Sequence, residues 1–470
     1  MPTTTSVVVL VLTLIVFAVL GLAAARRARG DTDLTTANRT QGPIALGFSF
    51  AATGLGAWIL FAPAEVGALI GIDALVGYAV AAAAPYLVFA WIGPALRRRW
   101  PAGRGLTDTL RDRFGRSVSV GVLVVSLAYM AVFVTAELLA VASVVELLGG
   151  VPRAVTVLAV AAVTLAYTAI GGLRASLATD RWQAVLVVVL LVLAATAVAA
   201  NGAAAPVVDV EAAGLLAVDR IGVEAALTLV IAVTAANVFH QGYWQRVWAA
   251  RDDRTLRRGA LLGAAGAAPV VLAVGLAGIL ATSRGLVASP TDAAVSVFAL
   301  AGGLPQAVTV AVLVLGIALV ASSLDSLESG LTSLVVAENP RAARSARWLT
   351  VALVVPCVAG ALVATSVLQL FLIADLLAAA IVVPALAGVL WRRATGPALV
   401  SGGASGLAGA YLAAWVATGD LAAAWAAVTF VGAVPTLPPF LGAVVASSLV
   451  MVVVALASRT LDLGAEPSAA

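Results

Sequence analysis

Long apolar segments follow one another along almost the whole chain, and short polar stretches rich in arginine separate them. A helix needs about 20 consecutive apolar residues to cross the hydrocarbon core of a bilayer. Thirteen segments reach that length, so the pattern predicts thirteen membrane-spanning helices. Their predicted bounds are 6–24, 44–72, 73–96, 118–148, 152–171, 182–200, 223–247, 259–282, 305–336, 348–366, 368–391, 396–416 and 440–458.

The composition supports the same class. Of the 470 residues, 62% are hydrophobic and only 11% are charged, which is too few charges to cover the surface of a soluble domain of this size. The predicted fold class is therefore an all-α polytopic membrane protein forming a single transmembrane domain over 1–470. A further apolar stretch, 421–434, is followed by Pro435 and Pro438 and is predicted to be interfacial or re-entrant. Segment 6–24 is predicted to be retained as a span, because its arginines follow the apolar run, whereas a signal peptide carries them before it.

Arginine supplies all 27 basic residues, and its distribution predicts the topology. With thirteen spans, every arginine except Arg153, Arg220 and Arg284 falls in loops on one side of the membrane. Positively charged loops stay in the cytoplasm, so we expect the N-terminus outside and the C-terminus inside the plasma membrane. These loops also account for the net charge of +4, and no nucleic-acid partner need be invoked.

Cys357 and His240 are the only residues of their types, which excludes several kinds of site. One cysteine cannot form a disulfide framework or a thiolate metal cluster. One histidine leaves little room for a Ser-His-Asp triad or a two-histidine zinc site, so we do not expect an enzyme or a cofactor.

Six polar residues interrupt the apolar span 305–336: Ser322, Ser323, Asp325, Ser326, Glu328 and Ser329. A charged side chain at the centre of a membrane helix costs about 2.5 to 3.5 kcal/mol on insertion scales. Together with the Leu319 carbonyl and two carbonyls from an unwound helix, the paired hydroxyls would form a five-oxygen shell suited to Na⁺, a hard cation. Alternatively, the hydroxyls bond back to their own helix. Asp325 and Glu328 either relay an ion or lie in cytoplasmic water.

Spans two and seven both carry helix breakers near their middles. In span two these are Thr53–Gly56 and Pro63, and in span seven Asn237, Gln241 and Gly242. Glycine permits a helix to unwind and to offer its carbonyls to a cation, although small residues also serve close helix packing. Spans two to six (44–200) and seven to eleven (223–391) would form two oppositely oriented five-helix units, with 6–24 and 396–458 outside them.

Five segments in order resemble the sodium:solute symporter family, whose members include sodium-coupled proline, pantothenate, monocarboxylate and sugar transporters. The resemblance implies a LeuT-like core of ten helices and transport by alternating access. The matching segments are the Gly-rich second span, 107–115, the Tyr167…Gly171-Gly172…Thr179-Asp180…Gln183 run, 245–252, and Ser322–Ser326.

Position by position, the resemblance implies a sodium site made by the carbonyls of Ala52, Leu55 and Leu319 and the hydroxyls of Ser322 and Ser323. Asp180 would assist the binding or the cytoplasmic exit of sodium. Two departures concern Gly54, where some proline-transporting relatives have an aspartate, and Leu319, where the family usually has a small residue; a carbonyl ligand should tolerate the leucine.

The substrate pocket is expected at the membrane midplane between spans two and seven. The candidates are Trp58, Glu137, Asn237 and Gln241, although Trp58 could serve the core and Glu137 could be a structural hydrogen-bond partner. The expected function is sodium-coupled import, by a monomer, of a small organic solute: an amino acid such as proline, a carboxylate or a urea-like compound. Two alternatives are a proton-coupled carrier using Asp325, Glu328 or Glu137, and a membrane sensor or binding module that does not transport.

Overall fold

The computed structural model describes residues 2–27, 42–54, 57–101, 105–169, 214–300, 305–338 and 340–464, with three isolated helical positions at 189, 192 and 196. Some side chains inside these ranges, including that of Ser322, are not described. Among the sequence-based expectations, span 182–200 lies outside the described residues apart from those three positions, and Leu55 and Asp180 lie outside them entirely.

The described chain is built from helices, and its described part contains no strand. The first half comprises α1 (Thr3–Arg27), α2 (Pro43–Gly54), a 3-10 helix (Ala57–Leu60), α3 (Ala62–Leu69), α4 (Ile72–Arg99), α5 (Leu106–Phe114), α6 (Arg116–Gly149) and α7 (Arg153–Ala169). The second half comprises α8 (Arg220–Asn237), α9 (Gln241–Ala249), α10 (Asp253–Ser283), α11 (Pro290–Ala294), α12 (Ser296–Ala299), α13 (Gln306–Glu338), a 3-10 helix (Pro340–Ser345), α14 (Ala346–Val363), α15 (Val367–Leu390), α16 (Gly396–Thr418), α17 (Leu421–Val428) and α18 (Leu437–Gly464).

Eight of the described helices, namely α4, α6, α8, α10, α13, α15, α16 and α18, are long and apolar enough to cross a membrane. Four other predicted spans coincide with shorter apolar helices: Thr3–Val19, Trp58–Leu69, Arg153–Ala169 and Trp348–Val363. The expectation of a polytopic helical membrane protein is confirmed, while the count of thirteen spans stays a prediction. The apolar stretch 421–434 contains α17, in which Leu421 and Trp425 are exposed. Its position relative to the bilayer also stays a prediction.

Both predicted helix breaks occur. Helix α2 ends at Gly54, the chain resumes as a 3-10 helix at Ala57, and Pro63 occupies the first turn of α3. In span seven, α8 ends at Asn237 and α9 begins at Gln241. The last four carbonyls of a helix lack partners within that helix. At the second break the residues that follow satisfy three of them, since Val238, Phe239 and His240 donate their N–H groups to the carbonyls of Ala235, Ala236 and Asn237.

Helix α10 packs against α2, α3 and α4, and α6 packs against α13, α14 and α15. Helices in lipid associate by close packing because no hydrophobic force drives them together. At the contact of α3 with α10 the two backbones touch: a methyl group on Gly67 would overlap the carbonyl oxygen of Gly275. These contacts hold the broken helices at the centre of the bundle.

Candidate ion and substrate site

Glu137 of α6 lies at the junction of three elements next to the first break. Its Oε1 accepts a hydrogen bond of 3.1 Å from the Ser323 hydroxyl of α13 and one of 3.3 Å from the Trp58 backbone N–H. The Glu137 side chain is completely buried. The structure therefore brings together a predicted sodium ligand, Ser323, and two predicted substrate residues, Trp58 and Glu137.

Two other predicted sodium ligands, Leu319 and Ala52, flank this junction. Leu319 is buried one turn before Ser323 on α13, and Ala52 lies in the last turn of α2, where carbonyls have no intrahelical partner. Helix α13 also packs against the 3-10 helix that follows the break. Backbone and hydroxyl oxygens of these elements are the hard ligands that a sodium ion requires.

A second polar network joins α7 to α13. The Tyr167 hydroxyl lies 3.1 Å from the Ala321 carbonyl and 3.2 Å from Asp325 Oδ2, and the Thr164 hydroxyl donates to Glu328 Oε1 at 2.8 Å. Both carboxylates are fully buried. The alternative that Asp325 and Glu328 lie in cytoplasmic water is therefore wrong.

The described contacts of Asn237 and Gln241, the predicted pocket residues of span seven, are with residues other than Trp58 and Glu137. The Asn237 amide donates to the Val233 carbonyl of its own helix at 2.7 Å, and the Gln241 amide lies where a methyl group on Gly105 would stand. His240 caps α9, its Nδ1 accepting from Gly242 N at 3.1 Å. Of the four predicted substrate residues, the structure brings Trp58 and Glu137 into contact.

Sequence reasoning missed an aromatic cluster beside Trp58. The Trp58 ring lies 6.0 Å from Tyr78 of α4 and 6.1 Å from Phe371 of α15, measured between ring centroids. Phe371 in turn lies 4.6 Å from Phe133 of α6, which is 5.1 Å from Tyr129. Every one of these side chains is more than 90% buried. The cluster lies where the first break, α4, α6 and α15 meet.

Asp375 lies one turn after Phe371 on α15 and was also missed. It is 5% exposed, and its charge interacts electrostatically with the tyrosines Tyr78 and Tyr129. The signal was present in the sequence, since a lone carboxylate within an apolar span is itself a mark of function.

Glu65 of α3 was likewise not singled out. Its carboxylate accepts from the Ser366 hydroxyl at 2.8 Å and from Leu368 N at 3.2 Å, at the first turn of α15. Glu65 is fully buried. The half of the broken span that follows the break is thereby attached to the helix that carries Phe371 and Asp375.

Comparison with known proteins decides the family. The family model described as "SSF: Sodium:solute symporter family" matches residues 35–327. The spermidine transporter DUR31 of Candida albicans is 30% identical over 372 residues, which cover 77% of this chain and 70% of that protein. The chain belongs to the sodium:solute symporter family. The resemblance recognised in the motifs is confirmed.

Solved structures support the fold of this family member. A Na⁺-coupled sialic acid symporter, solved substrate-bound and outward-open, gives a TM-score of 0.68 at 14% identity, covering 95% of this chain and 97% of that one. Mhp1, a nucleobase-cation-symport-1 family transporter solved in a closed conformation with bromovinylhydantoin bound, gives a TM-score of 0.58 at 16% identity. The match covers 91% of this chain and 96% of Mhp1. A manganese transporter of Eremococcus coleocola gives a TM-score of 0.53 at 14% identity, covering 90% of this chain and 97% of that transporter.

These neighbours are transporters of the LeuT fold, so the predicted LeuT-like core is confirmed. Membership of the family makes the chain a multi-pass membrane protein and a sodium-coupled solute transporter. Its relatives are transporters and not enzymes, in agreement with the expectation from the composition.

Proposed function

We propose that this symporter imports a small organic solute together with Na⁺ by alternating access, with its N-terminus outside and its C-terminus in the cytoplasm. Sodium would stabilise the outward-open state and so raise the affinity for the solute. We further propose two inverted units, 44–200 and 223–391, related as in other transporters with broken helices. The paired breaks after Gly54 and Asn237 support this division.

We assign the sodium site to the carbonyls of Ala52, Leu55 and Leu319 and the hydroxyls of Ser322 and Ser323, with Asp180 assisting release. The observation that supports it most is the Ser323–Glu137 hydrogen bond beside the break. A serine hydroxyl has one proton and two lone pairs. Donating the proton to Glu137 leaves the Ser323 lone pairs available to a cation.

The solute would bind beside this ion, between Trp58 and Glu137. The sequence leaves proline-like amino acids, carboxylates and urea-like compounds as candidates, and the relative DUR31, named as a spermidine transporter, adds a polyamine. Uptake of labelled proline, lactate, urea and spermidine into proteoliposomes, with and without an inward sodium gradient, would identify the class. Uptake of none of the four with a sodium gradient would contradict the proposed coupling for these solutes.

The sodium site is tested with Ser322→Ala and Ser323→Ala. Each should raise the sodium concentration for half-maximal uptake while expression stays close to the parental level, because only one ligand of the shell is lost. Ser448→Ala is a matched control, since the Ser448 hydroxyl bonds back to Val444 O of α18. If Ser322→Ala keeps the parental sodium dependence, the assigned site is wrong.

A proton-coupled carrier is the second candidate, and the buried network of Asp325, Glu328, Thr164 and Tyr167 favours it. Carboxylates in that setting are suited to exchanging a proton during transport. Replacing sodium by choline at fixed pH separates the two mechanisms. Uptake that persists in choline and follows a proton gradient would support this candidate and exclude sodium coupling.

A further inference from the structure

Asp375 carries a buried carboxylate for which the described residues supply no partner. The other buried carboxylates that the structure describes are held by hydrogen bonds: Glu65, Glu137, Asp325 and Glu328. Asp375 is 95% buried, yet no hydrogen bond or ion pair joins it to any described residue. Burying such a group costs several kcal/mol unless an opposite charge or donors satisfy it.

The described residues around Asp375 supply no positive charge. Its electrostatic partners are the phenols Tyr78 and Tyr129, whose hydroxyls make no hydrogen bond with a described residue. Arg246, the arginine on the inner half of span seven, donates instead to the Ser49 and Gly242 backbone oxygens. Within the described part of the chain, no cationic side chain therefore neutralises Asp375, and its carboxylate is available to a bound cation.

Aromatic side chains lie near this carboxylate. Phe371 stands one turn from Asp375 on the same side of α15 and contacts both Trp58 and Phe133. An aromatic face attracts a cation that lies within about 6 Å of its centre. An ionised Asp375 would repel an anionic solute, whereas a cationic solute would compensate its charge.

The position of Asp375 separates it from the proposed sodium shell. It comes eight residues after Val367 at the start of α15, which is about 12 Å along the helix axis. Ser323, one of the ligands assigned to sodium, meets Trp58 through Glu137, whereas Asp375 meets the Trp58 ring through Phe371. The carboxylate therefore belongs to the solute side of Trp58.

We propose that Asp375, together with Tyr78, Tyr129, Phe371 and Trp58, binds a protonated amine, so that the solute of this symporter is an organic cation with at least one ammonium group. The ammonium donates to the Asp375 carboxylate and to the tyrosine hydroxyl oxygens, and its alkyl groups pack on the rings. The inference rests on the proposed function, because it names the solute class of the same site.

Binding and transport are measured separately so that the two proposals can fail independently. Putrescine or spermidine is added to the purified protein in detergent with sodium, and the shift in melting temperature is recorded; uptake into proteoliposomes follows. We expect both amines to raise the melting temperature and proline, lactate and urea to leave it unchanged. Amine binding without sodium-driven uptake would retain this inference and overturn the symport mechanism.

The assignment to Asp375 is tested with Asp375→Asn and Asp375→Glu. The asparagine variant should lower apparent amine affinity at least about tenfold, the effect of losing a hydrogen bond to a charged group, while Asp375→Glu recovers part of it. Asp112→Asn, at an exposed position of α5, is the control. A sodium-induced melting shift retained by Asp375→Asn shows that this variant is folded.

Two results would overturn the inference. The first is sodium-driven uptake of proline, lactate or urea with no thermal shift by either amine, an outcome that leaves the proposed symport intact. The second is parental amine affinity in folded Asp375→Asn. If the asparagine variant does not fold, Tyr129→Phe provides the second measurement, and it should weaken amine binding without altering the response to sodium.

Discussion

Glu65 attaches α3, the part of the broken span after the break, to the first turn of α15, and its removal tests how that attachment supports the site. The carboxylate accepts from Leu368 N, one of the backbone donors that a helix start leaves unsatisfied. It also accepts from the Ser366 hydroxyl, and Ser366 caps α15 by accepting from Gln369 N. A negative charge at this end of a helix is further stabilised by the helix dipole.

The magnitude follows from the two bonds. A hydrogen bond to a charged group contributes about 1.5 to 3 kcal/mol, and relief from burying the charge offsets part of the loss when the carboxylate is removed. Glu65→Ala loses both bonds and should cost about 2 to 4 kcal/mol of stability. Glu65→Gln keeps one acceptor oxygen and should cost about half as much.

The assay combines melting of the purified protein with uptake kinetics. Glu65→Ala should melt below Glu65→Gln, and both below the parent. Because α15 carries Phe371 and Asp375, the solute KM should rise more than the sodium concentration for half-maximal uptake. Glu146→Gln is the control, since Glu146 is 45% exposed and pairs with Arg153 at the surface, where such pairs contribute about 0 to 1 kcal/mol. Equal melting of Glu65→Ala and the parent would refute the capping role.

Two further substitutions test the packing and the second network. Gly67→Ala should force α3 away from Gly275 of α10 and cost about 1 to 3 kcal/mol, seen as a lower melting temperature; Gly266→Ala, whose added methyl group meets nothing within 4 Å, should not. Tyr167→Phe removes one donor from the buried Asp325 and should lower the uptake rate of folded protein; a parental rate would mean that this bond has no part in transport.

The sequence predicted the helices well because lipid imposes a length and an apolar surface on each of them. The prediction 73–96 became α4 at 72–99, and 368–391 became α15 at 367–390. The break in span seven was also predictable, because Asn237 and Gly242 interrupt an otherwise apolar run. Local composition was sufficient for these features since each depends on a few adjacent residues.

The contacts of the site could not be predicted in the same way. Glu65 and Leu368 are 303 residues apart in the chain, and no local pattern relates them. Asn237 is a polar residue of the kind that often binds ligands, but its amide N–H donates to a carbonyl of its own helix. Asp375 is a solitary carboxylate in its span, and the aromatic residues around it other than Phe371 come from other helices, so no local pattern shows which site it is part of.

Trp58 relates the two binding functions proposed here. Its backbone N–H donates to Glu137, which also receives the Ser323 hydroxyl of the assigned sodium shell, while its ring contacts Phe371 on the helix of Asp375. An ion that fixes Ser323 would orient Glu137 and, through it, the segment that carries the Trp58 ring. Coupling requires that each ligand favour the same conformation, and a residue that contacts both sites would meet that requirement.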